Sequence, residues 1–327
     1  MRLLVTGGAG FIGSHYVRGV LGDAWPGPRP DSVVVLDKLT YAGNLANLEP
    51  VRDDPRLRFV RGDIVDAGLV DRLVAHADAV VHFAAESHVD RSIASGGEFV
   101  TTNVLGTHTL LEAATRHRLT RFLHVSTDEV YGSLESGSWT EEQPVAPSSP
   151  YSASKAASDL LVIAHHRTHG LDACITRCSN NYGPYQYPEK LIPLFVTRLL
   201  DGGTVPLYGE GDQVRDWLHV DDHCRGIHLA LHGGRAGETY HLGGGTELTN
   251  KELTARLLDA VGAGWEQVEQ VPDRPGHDRR YSLDISKATR ELGYRPRVSL
   301  DEGLEQTVAW YRDNRSWWEP LTRGAGS

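Results

Sequence analysis

Tyr151 and Lys155 stand four residues apart in the stretch Ser-Pro-Tyr-Ser-Ala-Ser-Lys. On a helix that spacing puts both side chains on one face. An ammonium beside a phenol favours the phenolate and so lowers the phenol's pKa. Such a phenol can take the proton of a sugar or steroid hydroxyl while hydride leaves the same carbon. Hydride needs an acceptor, and the chain opens with a segment suited to hold one. Arg2-Leu3-Leu4-Val5-Thr6 reads as a short strand, Gly7-Gly8-Ala9-Gly10-Phe11-Ile12-Gly13 as a glycine turn, and Ser14-His15-Tyr16-Val17 as the start of an amphipathic helix.

The glycines fit Gly-x-x-Gly-x-x-Gly at 7, 10 and 13 and Gly-x-Gly-x-x-Gly at 8, 10 and 13. A turn of this kind uses backbone angles costly for other residues and lets a pyrophosphate approach the main chain. The first N–H groups of the following helix then face the anion. The next apolar run, Val33-Val34-Val35-Leu36, ends at Asp37. A carboxylate there accepts hydrogen bonds from the adenosine ribose and repels a 2′-phosphate, which favours NAD over NADP. Lys38 pulls the other way, toward a phosphate. The spacing from the glycines is long because Gly22 to Pro30, rich in proline and glycine, reads as a surface loop inserted before the strand.

The elements that must carry these residues follow the same alternation. Arg58 to Ile64, Ala79 to Ala85 and Arg121 to Thr127 are apolar runs separated by helical patterns. Such runs are strands buried on both faces of a parallel sheet, and ligands sit beyond their carboxyl ends. Ser87-His88-Val89-Asp90 and Asp128-Glu129-Val130-Tyr131-Gly132 follow two of them, and Asp63, at the end of another, is within reach of an adenine. The fold class is therefore α/β: a Rossmann-type doubly wound parallel sheet with a smaller C-terminal α/β substrate-binding lobe. Residues 1–175 form the dinucleotide-binding part, with later segments returning to it, and 176–321 mainly the lobe. Residues 322–327 read as a disordered tail. In the lobe, Arg215 and Arg274 fall in glycine-rich loops, suited to clamp a diphosphate.

Composition excludes several classes. The net charge of −10 argues against a nucleic-acid groove. No apolar run spans a membrane, and no basic stretch with an apolar segment and cleavage site opens the chain. Cys174, Cys178 and Cys224 have no paired spacing and read as reduced thiols of a cytoplasmic protein. No His-x-x-x-His pair stands out, His165-His166 reads as solvated or packed, and no metal is expected.

With these residues in view, the chain resembles the extended short-chain dehydrogenase/reductase superfamily over nearly its whole length, and within it the dTDP-glucose 4,6-dehydratases. The glycine turn and Tyr151/Lys155 carry the superfamily. Ala84 to Ser92, Ser126 to Gly132, Cys178 to Pro184 and Asp273 to Asp278 carry the narrower likeness. The Asp128-Glu129 pair discriminates, because a 4-epimerase only oxidises and re-reduces one carbon and has no use for adjacent carboxyl groups.

The resemblance implies oxidation at C4 with Tyr151 as base, assisted by Lys155, and Thr127 on the C4 oxygen. Glu129 then takes the C5 proton, Asp128 donates to the departing C6 hydroxyl, and hydride returns to C6. It implies NAD contacts at Gly7, Gly10, Phe11, Ile12, Gly13, Asp37, Lys38, Leu39, Thr40, Asp63, Ile64, Ala84, Ala85, Ser87, Tyr151, Lys155 and Asn180. It implies nucleotide-sugar contacts at Ser87, His88, Thr127, Asn180, Lys190, Leu191, Pro206, Tyr208, Arg215, Asn250, Arg274, His277 and Tyr281. The segment between the acidic pair and Tyr151 is short beside the dehydratases of cell-wall rhamnose synthesis, which fits a deoxysugar made for secondary metabolism. Apolar residues of the Tyr151 helix spread over more than one face, so the helix is expected to be buried both by the sheet and by a partner helix in a two-fold homodimer. The competing readings are a 4-epimerase, a decarboxylase or a dehydratase of another nucleotide hexose, and, without catalysis, an NAD-sensing protein on the same fold.

Overall fold

A computed structural model describes residues 1–273 and 276–323. The apolar runs form strands β1 (Arg2–Thr6), β2 (Ser32–Asp37), β3 (Leu57–Arg61), β4 (Ala79–His82), β5 (Arg121–Thr127) and β6 (Ala173–Cys178). Three lobe strands follow, β7 (Asn180–Tyr182), β8 (Val205–Tyr208) and β9 (Val214–His219), before β10 (Thr239–Leu242) returns to the large sheet. That sheet is parallel throughout, in the order β10-β6-β5-β4-β1-β2-β3. Its order reverses between β1 and β4, which opens a crevice beyond their carboxyl ends. The boundary expected at 175 falls inside β6, and the expected strand into Asp63 stops at Arg61.

Steric need fixes the glycine turn. Gly7 has φ +69°, and a Cβ on it would lie 2.6 Å from the Ala84 nitrogen. A Cβ on Gly13 would lie 2.2 Å from the Gly7 oxygen, so the first helical turn cannot approach β1 with any larger residue. The Gly22–Pro30 insert is not only surface. Trp25 is buried against Tyr16 and His228, and its ring occupies the space a Cβ on Gly19 would need.

The Pro150–His169 helix starts at a Ser149/Ser152 capping box with proline at its first position, and stops at Gly170 in the left-handed region. These are the signals that satisfy or end a helix's unpaired backbone groups. Its buried face is polar: Ser154, Lys155, Ser158 and Asp159 point inward. Asp159 accepts from Arg177 Nε at 2.8 Å and lies 3.4 Å from His124 Nε2, all three buried. Asn103, in a stretch wound as a π-helix over Val100–Gly106, donates to Ser154 Oγ at 2.8 Å. It also exchanges hydrogen bonds with the Glu86 backbone. The expected double-sided burial is absent within the single chain, where Leu160 remains 55% exposed.

In the lobe, β9 pairs with β7 in parallel and with β11 (Glu247–Thr249) in antiparallel fashion, and β8 pairs with β12 (Val268–Val271). Phe195, Trp217, Leu257, Tyr311 and Trp318 fill its core. The last helix, Arg315–Arg323, takes in the first two residues of the expected tail, and Thr322 Oγ1 donates to the Glu319 carbonyl. Residues 324–327 of that expectation lie outside the described residues.

Breaking a buried ion pair strands its partner charge. Asp159→Ala should therefore lower unfolding stability by about 3–5 kcal/mol. Urea denaturation measures this, and a loss below about 1 kcal/mol would show that Arg177 finds other compensation.

Candidate active site

The crevice between the large sheet and the lobe is a cleft of about 470 Å³. Of the expected cofactor, substrate and catalytic residues that the structure describes, all line it except Leu39 and Tyr281. Leu39 does not line it; its backbone N–H instead donates to Asp37. Tyr281 lies behind the wall, and Arg274 lies outside the described residues.

On the dinucleotide side, the Gly7, Gly10 and Gly13 cradle leads into the Phe11–Leu21 helix, whose N-terminus has no side-chain cap. Asp37 accepts from the Ala9 and Leu39 N–H groups at 2.9 and 2.8 Å. Burial raises its pKa, and those two donors work against the rise. Lys38 pairs with Asp63 at 2.7 Å, which takes its charge away from a 2′-phosphate. The cradle, the uncapped helix start and the carboxylate ending β2 together fit NAD. Buried Asn180 Oδ1 has no hydrogen-bond partner among the described residues, a cost that a ligand donor would offset.

Beyond β5, a four-residue 3-10 turn, Asp128–Tyr131, carries the acidic pair. Asp128 is 1% exposed. Burial first, then the charges of Glu129 and Asp216, hold its pKa well above the usual carboxylate range. Thr127 Oγ1 donates to Asp128 Oδ1 and caps the turn by accepting from the Glu129 N–H, both at 3.3 Å. Tyr151 is buried in the same wall, and its pKa departs from the expectation drawn from spacing. Burial, Glu129, Cys178 and Asp128 all push the phenol up. Lys155 Nζ donates one hydrogen bond to the Val125 carbonyl at 2.8 Å. Burial pushes Lys155 down to about 8, so it exchanges its proton easily near neutral pH. Within the protein, then, the phenol is held toward its protonated form.

On the lobe side, Arg215 is 5% exposed and forms no ion pair among the described residues. Its guanidinium donates to the Val214 and Asp278 carbonyls at 2.8 Å and lies 4.2 Å over the Tyr281 ring. Tyr281 OH donates to Asp278 Oδ2, which fixes the ring under the cation. A buried cation held only by neutral groups is suited to a phosphate. Lys190 donates to the Ser87 carbonyl at 2.6 Å, joining the lobe to the sheet across the cleft. Asn250, at the start of the Asn250–Val261 helix, brings a second buried amide oxygen without a partner among the described residues.

Sequence reasoning missed Glu189, which lines the cleft and accepts from Tyr41 OH at 3.0 Å. Its place beside Lys190 at a helix start was the available signal. The reading of the histidines also passed over His165 and His169, which stand four apart on the Pro150–His169 helix.

The family model described as GDP-mannose 4,6 dehydratase matches residues 4–307. A dTDP-glucose 4,6-dehydratase of Streptomyces niveus is 65% identical over 321 residues, covering 98% of this chain and 96% of its own. The crystal structure of a Streptomyces venezuelae dTDP-glucose 4,6-dehydratase with NAD and dTDP bound is 68% identical, with a TM-score of 0.97, covering 98% of this chain and 100% of its own. A UDP-glucose 4-epimerase of Thermotoga maritima, crystallised with UDP-glucose, is 33% identical, with a TM-score of 0.88, covering 96% and 100%. Backbone likeness alone therefore does not separate elimination from epimerisation.

The raised Asp128 pKa has a stability consequence. A carboxyl with a folded pKa above its unfolded one binds its proton more tightly when folded. It stabilises the fold below the ordinary carboxylate range, and this contribution is lost as pH rises through the raised pKa. Melting temperatures measured from pH 4 upward should fall for the native chain relative to Asp128→Asn. A difference independent of pH would show that Asp128 ionises normally.

Proposed function

The chain belongs to the dTDP-glucose 4,6-dehydratase family, and on that basis we propose that it converts dTDP-glucose to dTDP-4-keto-6-deoxyglucose with Tyr151, Lys155, Asp128 and Glu129 as its working groups. One observation carries the reading: a buried aspartic acid whose pKa burial and Glu129 hold well above the usual carboxylate range, in the same wall as Tyr151. Elimination needs one carboxylic acid and one carboxylate together, and shared burial with mutual repulsion separates their pKa values.

NAD, when bound, would supply a hydride acceptor for C4 and a donor for C6. Gly7, Gly10 and Gly13 hold its pyrophosphate, and Asp37 holds the adenosine ribose. Tyr151 takes the C4 hydroxyl proton, with Thr127 on the same oxygen and Lys155 relaying charge. The C4 ketone acidifies C5. Glu129 removes the C5 proton, and Asp128 gives its proton to the C6 hydroxyl, which leaves as water. A proton then returns to C5, so the sugar loses one water and its redox state is unchanged. Arg215 binds the diphosphate of the nucleotide, and Asn180, Asn250 and Lys190 hold the rest of the substrate.

A second copy of the chain completes the molecule in this reading. Val100 and Leu105 are 58% and 49% exposed, on the helical run that packs beside the Pro150–His169 helix, and Leu160 is exposed on that helix itself. Two such faces related by a two-fold axis would bury this apolar surface. Sedimentation equilibrium at micromolar concentration should return twice the chain mass, and a monomer there removes the dimer.

The activity is tested with dTDP-glucose carrying deuterium at C4. The product should lose the mass of one water and carry the label at C6, while Tyr151→Phe should slow turnover about a hundredfold or more. Label retained at C4 with no water lost would make the enzyme a 4-epimerase.

A further inference from the structure

Two packed helices carry histidines that the cleft does not use. On Thr107–Arg116, His108 and Glu112 stand four apart, and on Pro150–His169, His165 and His169 do the same, so each pair shares a helix face. The two helices pack against each other. One donor atom each from His108, Glu112 and His165 lies within 4.8 Å of the other two. His165 Nε2 is 4.0 Å from Glu112 Oε1, and the His108 and His165 rings meet edge to face at 5.9 Å. We propose that His108, Glu112 and His165 form a binding site for a divalent cation of the zinc class, with His169 as the fourth protein ligand.

Two imidazoles and a carboxylate are a common zinc donor set. Tetrahedral zinc holds such ligands about 3.4 Å apart, given bonds of about 2.1 Å. The remaining closure falls to Glu112, whose side chain is 51% exposed and turns without disturbing the core. His165 is already oriented for the task. Its Nδ1 lies 3.1 Å from Thr115 Oγ1. A metal on Nε2 selects the tautomer in which Nδ1–H donates to that hydroxyl, the usual outer support of a metal-bound histidine. His108 Nδ1 is enclosed and has no hydrogen-bond partner among the described residues. His169 lies 5.2 Å from His165, ring to ring, at the exposed helix end.

None of the three core ligands lines the cleft. His165 is ten residues beyond Lys155 on its helix, about 15 Å along the axis. The ion would therefore clamp two helices and take no part in the chemistry.

The test uses the full chain without an affinity tag, stripped with chelator and titrated calorimetrically with zinc chloride. One ion per chain should bind, and the melting temperature should rise with zinc. Cobalt at the same site should give visible absorption of tetrahedral intensity. His108→Ala and Glu112→Gln should each weaken binding at least tenfold, with turnover of dTDP-glucose unchanged. Thr115→Val, which keeps all the ligands and removes only the support of His165, should also weaken it. Absence of saturable binding, or equal affinity in the His108→Ala/Glu112→Gln double variant, overturns the site.

Discussion

The Pro150–His169 helix meets the sheet through a carboxylate rather than through hydrocarbon alone. Burial alone would raise Asp159, yet Arg177 and His124 outweigh it and hold the group at about 2. It therefore stays charged in a site that no water reaches, between a strand of the sheet and the helix carrying Tyr151 and Lys155. Arg177 in turn donates to Tyr131 OH, at the end of the turn bearing Asp128 and Glu129. One ion pair thus ties together the helix, β6 and the acidic turn. Such a pair adds little net stability, since desolvation offsets its attraction. What it supplies is a single register for the groups on either side of the substrate.

Local chemistry was legible in the sequence. The glycine turn, Asp37 at the end of β2 and the full extent of β5 all follow from short patterns of residue type. Non-local pairing was not. Nothing in the Tyr-x-x-x-Lys spacing tells that Lys155 will donate a hydrogen bond to the carbonyl of Val125, thirty residues earlier in the chain. Tyr281 could be placed near the substrate by resemblance, but its position beneath Arg215 depends on Asp278 and on how a lobe loop packs. Trp25 was hidden for a related reason. Its flanking prolines and glycines announce a loop, while the space that receives its ring exists only because Gly19 has no side chain.

The polar face of the Pro150–His169 helix explains why its pattern misleads. A helix covering a sheet ordinarily shows one apolar stripe. Here Ser154, Ser158 and Asp159 occupy the inward positions and bond to Asn103 and Arg177. Leu160 is displaced outward, while Val162 still packs into the core. Read by composition, the helix looks apolar on several sides; in the fold, its most deeply buried side is its most polar.

Asp37 holds two structures at once. One oxygen accepts from Ala9 inside the glycine turn, and the other from Leu39 in the turn after β2. Leu39 itself sits at φ +56°, an angle that few non-glycine residues adopt. Exchanging this carboxylate for a smaller neutral side chain, the obvious route to an enzyme that accepts a phosphorylated dinucleotide, would release both loops together. Coenzyme preference in this chain is thus an architectural trait as much as a recognition trait. An engineer or a drifting lineage would have to rebuild the second turn in the same step.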